Sequence, residues 1–296
     1  MPKPPSSTPA LLENIKRWAV QAMFSDDMLL EELVLKGGNA MALIHHLSSR
    51  TSVDLDFSMR HDFSENLETI AHRIEQRLTE TFLANGYAVF DFRMAEKPKP
   101  ISPELASFWG GYDINFKLIE NAAFETNKHN LETLRRQALK IGQGSKFEID
   151  ISRFEYTDGK QSADVDGYRI YVYSPAMIVC EKLRAICQQM PEYGPIIKRD
   201  RPGGARARDF VDIHLLMTAL NLDLRDTEQT MLRQMFAIKH VPLSFLGHIE
   251  RYRDFHRADF RAVQDTVTAG TQLENFDFYF DFVLTLVERL KPVWNV

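Results

Sequence analysis

With 296 residues, 44% of them apolar and 26% charged, the chain has the composition of a soluble globular protein and enough length for one large domain or two modest ones. A formal charge of −5 excludes a surface that coats nucleic acid along its whole extent, but not a local basic patch for a polyanionic substrate. No apolar run reaches the length of a membrane span, and residues 1–8 are Pro- and Ser-rich with no apolar stretch of a secretory signal behind them, so a frayed arm and a cytoplasmic setting are expected.

Residues 11–24 and 27–33 read as helices. Leu11, Ile15, Trp18, Ala19 and Met23 share one face of the first, the pattern of a helix laid over a sheet. Val34 and Leu35 then end a short apolar run, Gly37 and Gly38 permit a tight turn, and residues 40–47 carry apolar side chains at helical spacing, so a helix is expected just after the glycines. Its first backbone N–H groups lack partners within the helix and stand at the positive end of the macrodipole, which suits a phosphate. Asn39 is placed either to cap that helix or to touch the ligand.

A turn at Ser48, Ser49 and Arg50 leads into a stretch from Ser52 to Phe57 that alternates at period two, the mark of a strand. Val53, Leu55 and Phe57 face one way. Asp54 and Asp56 face the other, about 7 Å apart at their Cα atoms. Two carboxylates on one strand face are able to hold Mg²⁺ and leave positions open for triphosphate oxygens. Taken alone, Asp-x-Asp also describes a solvated strand face. The order of glycine turn, helix, Arg and Asp-x-Asp is far more specific.

That order resembles the AbiEii/AbiGii nucleotidyltransferase toxins, a branch of the polymerase-beta-like nucleotidyltransferase superfamily, whose members carry a Lys-Gly-Gly turn, a helix, then Arg-x-Ser-x-Asp-x-Asp and an apolar residue. Lys36, Gly37 and Gly38 match the turn, and Arg50, Ser52, Asp54, Asp56 and Phe57 match the rest. Asn39 stands where the family usually has Ser or Thr, and an amide replaces the hydroxyl as a donor. The resemblance implies that Lys36, Gly37, Gly38, Asn39, Arg50 and Ser52 contact the nucleotide, and that Asp54 and Asp56 bind Mg²⁺, with Mn²⁺ as an alternative.

Further along, residues 63–85 read as a long amphipathic helix with Ser64 as N-cap and Gly86 ending it. Residues 88–94 and 112–119 have strand character, and residues 130–139 suit a short helix. Residues 147–152 alternate again: Phe147, Ile149 and Ile151 share one face, Glu148 and Asp150 the other. The resemblance implies a third metal-binding carboxylate here that serves the attacking hydroxyl, and Asp150 is the choice with Glu148 in reserve; a solvated edge strand is the alternative. Residues 168–173 read as a last strand. The expected fold is therefore α/β (α+β), a polymerase-beta-like nucleotidyltransferase core with a mixed sheet and flanking helices over residues 1–173, followed by a helical domain over residues 174–296.

Ser174 and Pro175 make a clear helix start, and that helix is expected to run to about Met190. Cys180 and Cys187, the only cysteines, lie about two turns apart on it, too far for a disulfide, and read as reduced core residues. Lys182, Leu183 and Ala185 match the family's Lys-Leu-x-Ala motif, which implies that Lys182 binds the triphosphate and offsets charge on the leaving pyrophosphate. Arg208, Asp209 and Asp212 match its Lys/Arg-Asp-apolar-x-Asp motif. Asp209 is implied to orient Lys182 or an active-site hydroxyl, and Asp212 is read as structural. The basic loop at 198–208 suits either a clamp on phosphates or a solvated loop, and the basic and aromatic stretch at 251–257 suits either a stacked nucleic-acid end or an ordinary helix face. No histidine has a zinc-ligand spacing.

The resemblance thus implies Mg²⁺-dependent transfer of NMP from an NTP to an acceptor hydroxyl by Asp54, Asp56, Asp150, Lys182 and Asp209. The acceptor implied is an RNA, with tRNA ends first, and the partner a cognate antitoxin protein. Two other readings stay open at this point: a glycosyltransferase using Asp-x-Asp for a sugar nucleotide, and a non-catalytic nucleotide- or RNA-binding module.

Overall fold

The computed structural model describes residues 8–47, 54–99, 101–141, 144–267 and 272–295. Its centre is a seven-stranded mixed sheet in the order β3-β4-β5-β2-β1-β7-β6. In chain order the strands are β1 (Val34–Lys36), β2 (Leu55–Ser58), β3 (Tyr87–Lys97), β4 (Gly111–Glu120), β5 (Phe147–Ser152), β6 (Gln161–Val165) and β7 (Tyr168–Val172). Strand β2 runs antiparallel to β1 and parallel to β5, β5 antiparallel to β4, and β1 parallel to β7.

The alternation seen in the sequence sorts the two faces. Phe147, Ile149 and Ile151 are buried while Glu148, Asp150 and Ser152 are only half so, and β4 buries Tyr112, Ile114, Phe116 and Leu118 in the same manner. Helices α1 (Pro9–Phe24), α2 (Asp27–Glu32), α3 (Gly37–Leu43) and α4 (Leu67–Ala84) belong to the first half. Helix α1 packs on α4, and α4 on β3. Phe24 rests on Phe57, and Phe82 on Phe116, with ring centroids 5.8 and 5.7 Å apart. Each such fully buried side chain contributes about 1.5–3 kcal/mol.

Helices α5 (Asn121–Asn127) and α6 (Leu131–Gln137) follow β4 and cover a small separate cluster around Phe90, Ile119 and Leu134. After β7 the regular structure is helical: α7 (Pro175–Cys187), α8 (Ala207–Ala219), α9 (Asp226–Ile238), the short α10 (Arg253–Arg257) and α11 (Phe260–Gln264), α12 (Phe276–Arg289) and α13 (Lys291–Trp294), with 3-10 turns at Pro191–Ile197 and Leu243–Tyr252. Helix α7 packs on α8 and α9, and α8 on α12. The main apolar cluster joins Phe57 and Ile149 of the sheet to Leu183 and Phe210 of these helices, so the core is continuous across Ser174.

Several boundaries differ from expectation. Helix α4 begins at Leu67, capped by Asn66, whose side chain accepts from Thr69 N at 3.0 Å; Ser64 lies outside it, although both residue types are good caps. Helix α3 starts at Gly37 and stops at Leu43, with His46 in the left-handed region (φ 53°) beyond it. Helix α7 ends at Cys187, ahead of the 3-10 turn that opens at Pro191, because a proline cannot continue the hydrogen-bond ladder. Strand β6 has no apolar alternation of its own. It pairs with β7 through a two-residue turn, Asp166 and Gly167, both at positive φ, the backbone that such hairpins require.

Candidate active site

The site grows from the pairing of four strands. Lys36 of β1 is the register partner of Asp56 on β2, Asp56 of Asp150 on β5, and Asp150 of Asp113 on β4. Register partners in a ladder point to the same face, so one cation and three carboxylates form a row across the sheet. Lys36, Asp56 and Asp150 open into a cleft of about 280 Å³. Helix α7 supplies the facing wall with Glu181 and Arg184, and Arg206, just before α8, closes one side.

The glycine turn lies against the carboxylates. Gly37 is at φ +70°, and a Cβ on it would stand 2.6 Å from Asp56 Oδ2; only a glycine lets the backbone come this near. Lys36 precedes it as the N-cap residue of α3, and its ammonium donates to Ser152 Oγ at 3.1 Å, with Glu155 and Glu181 at 3.9 and 4.0 Å. Asn39 neither caps the helix nor enters the cleft. It is fully buried, and its side-chain amide donates to the Asp54 carbonyl at 2.6 Å, fastening α3 to the start of the Asp-x-Asp strand.

Charge is unevenly compensated along the row. Burial above all, then Asp150, Glu181 and Asp54, push the Asp56 carboxyl up to about 6 in spite of Lys36. Burial, followed by the charges of Glu148 and Asp150, also raises Asp54 above its ordinary value. Asp150 accepts from Lys97 Nζ at 2.8 Å, whereas Glu148 pairs with Lys146 at 3.0 Å and stands beside Asn115 rather than in the cleft. Asp54 is exposed at the outer end of β2 and does not line the cleft. Among the described residues no three His, Cys, Asp or Glu side chains converge tightly enough to ligate one ion; the converging pair is Asp56 and Asp150.

Glu155, buried at 4% exposure, also lines the cleft. Burial opposes its ionisation, but Arg184 (2.7 Å), Lys239 (3.4 Å) and Lys36 outweigh it and hold the carboxyl well below the usual range. Lys239 also donates to the Arg153 and Phe108 carbonyls at 2.6 and 3.2 Å, and burial brings its ammonium down to about 8.

Lys182 is brought to Asp209 but not to the cleft. Its side chain is 6% exposed, with Nζ 2.7 Å from Asp209 and 2.8 Å from Asp212, so both aspartates of α8 share one lysine of α7. Asp209 in turn accepts from Arg206 Nε, and through Arg206 the motif reaches the cleft. Arg50 and Ser52 lie outside the described residues. In the 251–257 stretch, Arg253 pairs with Asp277 and Asp281, and Arg257 with Asp254 and Asp277, the arrangement of a helix face braced on α12.

A glycine turn is thus pressed against an Asp-x-Asp strand, facing a helix that carries Glu181 and Arg184. The family described as nucleotidyl transferase AbiEii toxin, type IV TA system, matches residues 18–282. The chain belongs to that family. This AbiEii protein is a nucleotidyltransferase, and the glycosyltransferase reading of Asp-x-Asp is set aside. Among solved structures it is similar to JHP933 from Helicobacter pylori, at 18% identity and TM-score 0.50 over 97% of this chain and 95% of that one. It is also similar to an antigenic nucleotidyltransferase-like protein from Paracoccidioides brasiliensis, at 15% identity and TM-score 0.38 over 80% and 93%. At such identities the first likeness is one of fold. No curated protein matches the AbiEii chain.

The sequence motifs do not reveal Lys97, Asp113, Glu155, Glu181, Arg184, Arg206 or Lys239. Asp113 sits in a strand with legible alternation, and Arg206 in the basic loop, so for these two a local signal exists. Lys239 follows the end of α9 and has none.

Proposed function

We propose that this chain moves an NMP group from an NTP to the hydroxyl of an RNA end, a tRNA acceptor end in the first place, and acts in the cytoplasm as a toxin restrained by a cognate antitoxin protein. The observation that carries this reading is the register of Asp56 with Asp150, which lines up two carboxylates beside a glycine turn.

The donors suit a hard divalent ion. They are carboxylate oxygens on neighbouring strands, and Asp56 is raised to about 6 by burial and by nearby carboxylates, so a cation placed directly on that carboxylate is favoured. Asp56 and Asp150 would hold Mg²⁺, or Mn²⁺ in its place, with Asp54 as the family motif's further carboxylate. When bound, the ion supplies charge neutralisation for the phosphates at the reacting centre. The N–H groups of Gly37 and Gly38, with Lys36, would meet phosphate oxygens; Arg50 and Ser52, which lie outside the described residues, are assigned to the nucleotide by the family motif alone. Asp150, which opens to solvent, faces the acceptor hydroxyl and takes its proton. The hydroxyl oxygen bonds to the α-phosphorus as the bond to the β-phosphate oxygen breaks in line, and pyrophosphate leaves. Lys182 and Asp209 act from behind the wall of the cleft.

The test is incubation with each α-labelled NTP and Mg²⁺ in the presence of total RNA and of protein, for the wild type and Asp56→Ala. Label in RNA that the variant does not transfer is the expected result. Label in protein alone reassigns the acceptor to a protein hydroxyl, and no label from a folded wild type that binds Mg-NTP leaves a binding module.

A further inference from the structure

Five cationic side chains line the cleft: Lys36, Lys97, Arg184, Arg206 and Lys239. Four are spoken for. Lys36 is bonded to Ser152, Lys97 to Asp150, Arg184 to Glu155 and Glu181, and Lys239 to Glu155 and two carbonyls. Arg206 differs from them. Its Nε donates to Asp209, its side chain is 38% exposed, and among the described residues its two terminal nitrogens make no hydrogen bond, with the charges of Glu181 and Asp56 nearby.

The rest of Arg206 is fixed at two points. Its backbone N–H donates to Nδ1 of the buried His256 at 3.1 Å. Its Nε is bound to Asp209, and Asp209 is itself anchored by Lys182, which Asp212 holds from the other side. The guanidinium also borders a smaller hollow shared with Arg208 and Asp259, so it stands at the rim where a chain of phosphates would leave the carboxylates. A planar guanidinium tethered through Nε leaves its outer N–H groups as a fork, the geometry that pairs with two oxygens of a phosphate.

We propose that Arg206 is the residue that grips the substrate's phosphates at the leaving-pyrophosphate end, and that Lys182 and Asp209 are positioning residues that act through it. This rests on the NTP reading above. The Lys-Leu-x-Ala and Arg-Asp-x-x-Asp motifs then serve a single purpose, in which Lys182 fixes Asp209, Asp209 fixes the Arg206 fork, and the fork meets charge that accumulates on pyrophosphate.

The test measures binding of inorganic pyrophosphate, of each NTP and of the matching nucleosides to the full chain with Mg²⁺, for the wild type, Arg206→Ala, Arg206→Lys and Lys182→Met, alongside transfer assays with added guanidinium ion. Arg206→Ala is expected to weaken pyrophosphate and NTP binding by about tenfold to about a hundredfold, the size of a charge-assisted pair, with nucleoside binding unchanged and a lower melting temperature because the buried Asp209 loses a partner. Arg206→Lys recovers part of the loss, and guanidinium ion restores transfer to Arg206→Ala but not to Lys182→Met. Wild-type affinity for pyrophosphate and NTP in Arg206→Ala overturns the proposal, as does an equal loss for nucleoside and NTP. If Arg206→Ala fails to fold, Arg206→Gln, which keeps an amide donor for Asp209, is read by the same comparison. A wild type that binds neither pyrophosphate nor any NTP overturns this proposal and the nucleotidyl-transfer reading together, whereas a wild type that transfers label no better than Arg206→Ala removes only the role of Arg206.

Discussion

Gly37 lies so close to Asp56 that a methyl group in place of one hydrogen would stand 2.6 Å from Oδ2. Backbone and carboxylate therefore form one unit, and Gly37→Ala has two faults: a side chain at φ +70° and a clash with a residue of the site. The substitution is expected to cost about 1–3 kcal/mol of stability and, by displacing Asp56, to reduce transfer by about a hundredfold or more. Denaturant titration and initial rates measure the two effects. Wild-type rates would detach the turn from the chemistry.

Asp56 makes a second prediction, on pH. Its folded-state value of about 6 lies above the ordinary 3.8, so the native state binds this proton more tightly than the unfolded chain does. Its contribution favours folding at low pH and is lost as pH rises through about 6. Without divalent metal, Asp56→Asn is thus expected to be more stable than the wild type at pH 8, by about 1–3 kcal/mol, with the gain vanishing below pH 4. Mg²⁺ at pH 8 should stabilise the wild type but not the variant, and more Mg²⁺ should be needed to saturate transfer as pH drops below about 6, because the proton competes with the ion for Asp56. Melting curves across pH, with and without Mg²⁺, check both signs.

Lys182 is held by two aspartates that are themselves buried. Burial opposes ionisation of Asp209, yet Arg206 and Lys182 hold its carboxyl well below the usual range. Removing the lysine takes a shared cation away from two buried carboxylates, so Lys182→Met is expected to lose about 3–5 kcal/mol, seen as a lower denaturant midpoint at unchanged slope. A Lys182→Met protein with wild-type stability and only a raised KM for NTP would place this ammonium on the phosphates instead.

Much of the fold is legible locally. Period-two alternation marks β2 and β5 and shows which residues of each face away from the core, and the glycines mark the turn. Register is not legible, because it is a non-local fact: Asp56 stands beside Asp150 only because β2 and β5 pair in parallel with that offset. The position of Lys182 escapes the sequence for the same reason. Its helix spacing is compatible with a cleft-facing ammonium, and only the packing of α8 on α7 encloses it between Asp209 and Asp212. Ser64 and Asn66 are both cap formers two residues apart, so residue type does not choose between them. The hairpin of β6 and β7 does carry a turn signal, Asp166-Gly167, but β6 lacks the apolar alternation that would mark it as a strand.

Register also separates the two carboxylates of β5. Asp150 faces the cleft beside Asp56, whereas Glu148 pairs with Lys146 away from it. Asp150→Asn is expected to reduce transfer by about a hundredfold or more, and Glu148→Gln by less than about threefold, both with near-native melting temperatures. The reverse order would move the third carboxylate to Glu148.

The central claim is that this cleft breaks the bond between the α- and β-phosphates of an NTP and keeps the α-phosphate on an RNA. The most direct measurement compares α-labelled with γ-labelled NTP, in Mg²⁺, on the same RNA with the wild-type chain. Label retained in RNA from the α position, none from the γ position, and pyrophosphate released in equal amount is the result expected. Label carried over from the γ position, or RNA left unlabelled by a wild type shown to bind Mg-NTP, would contradict it.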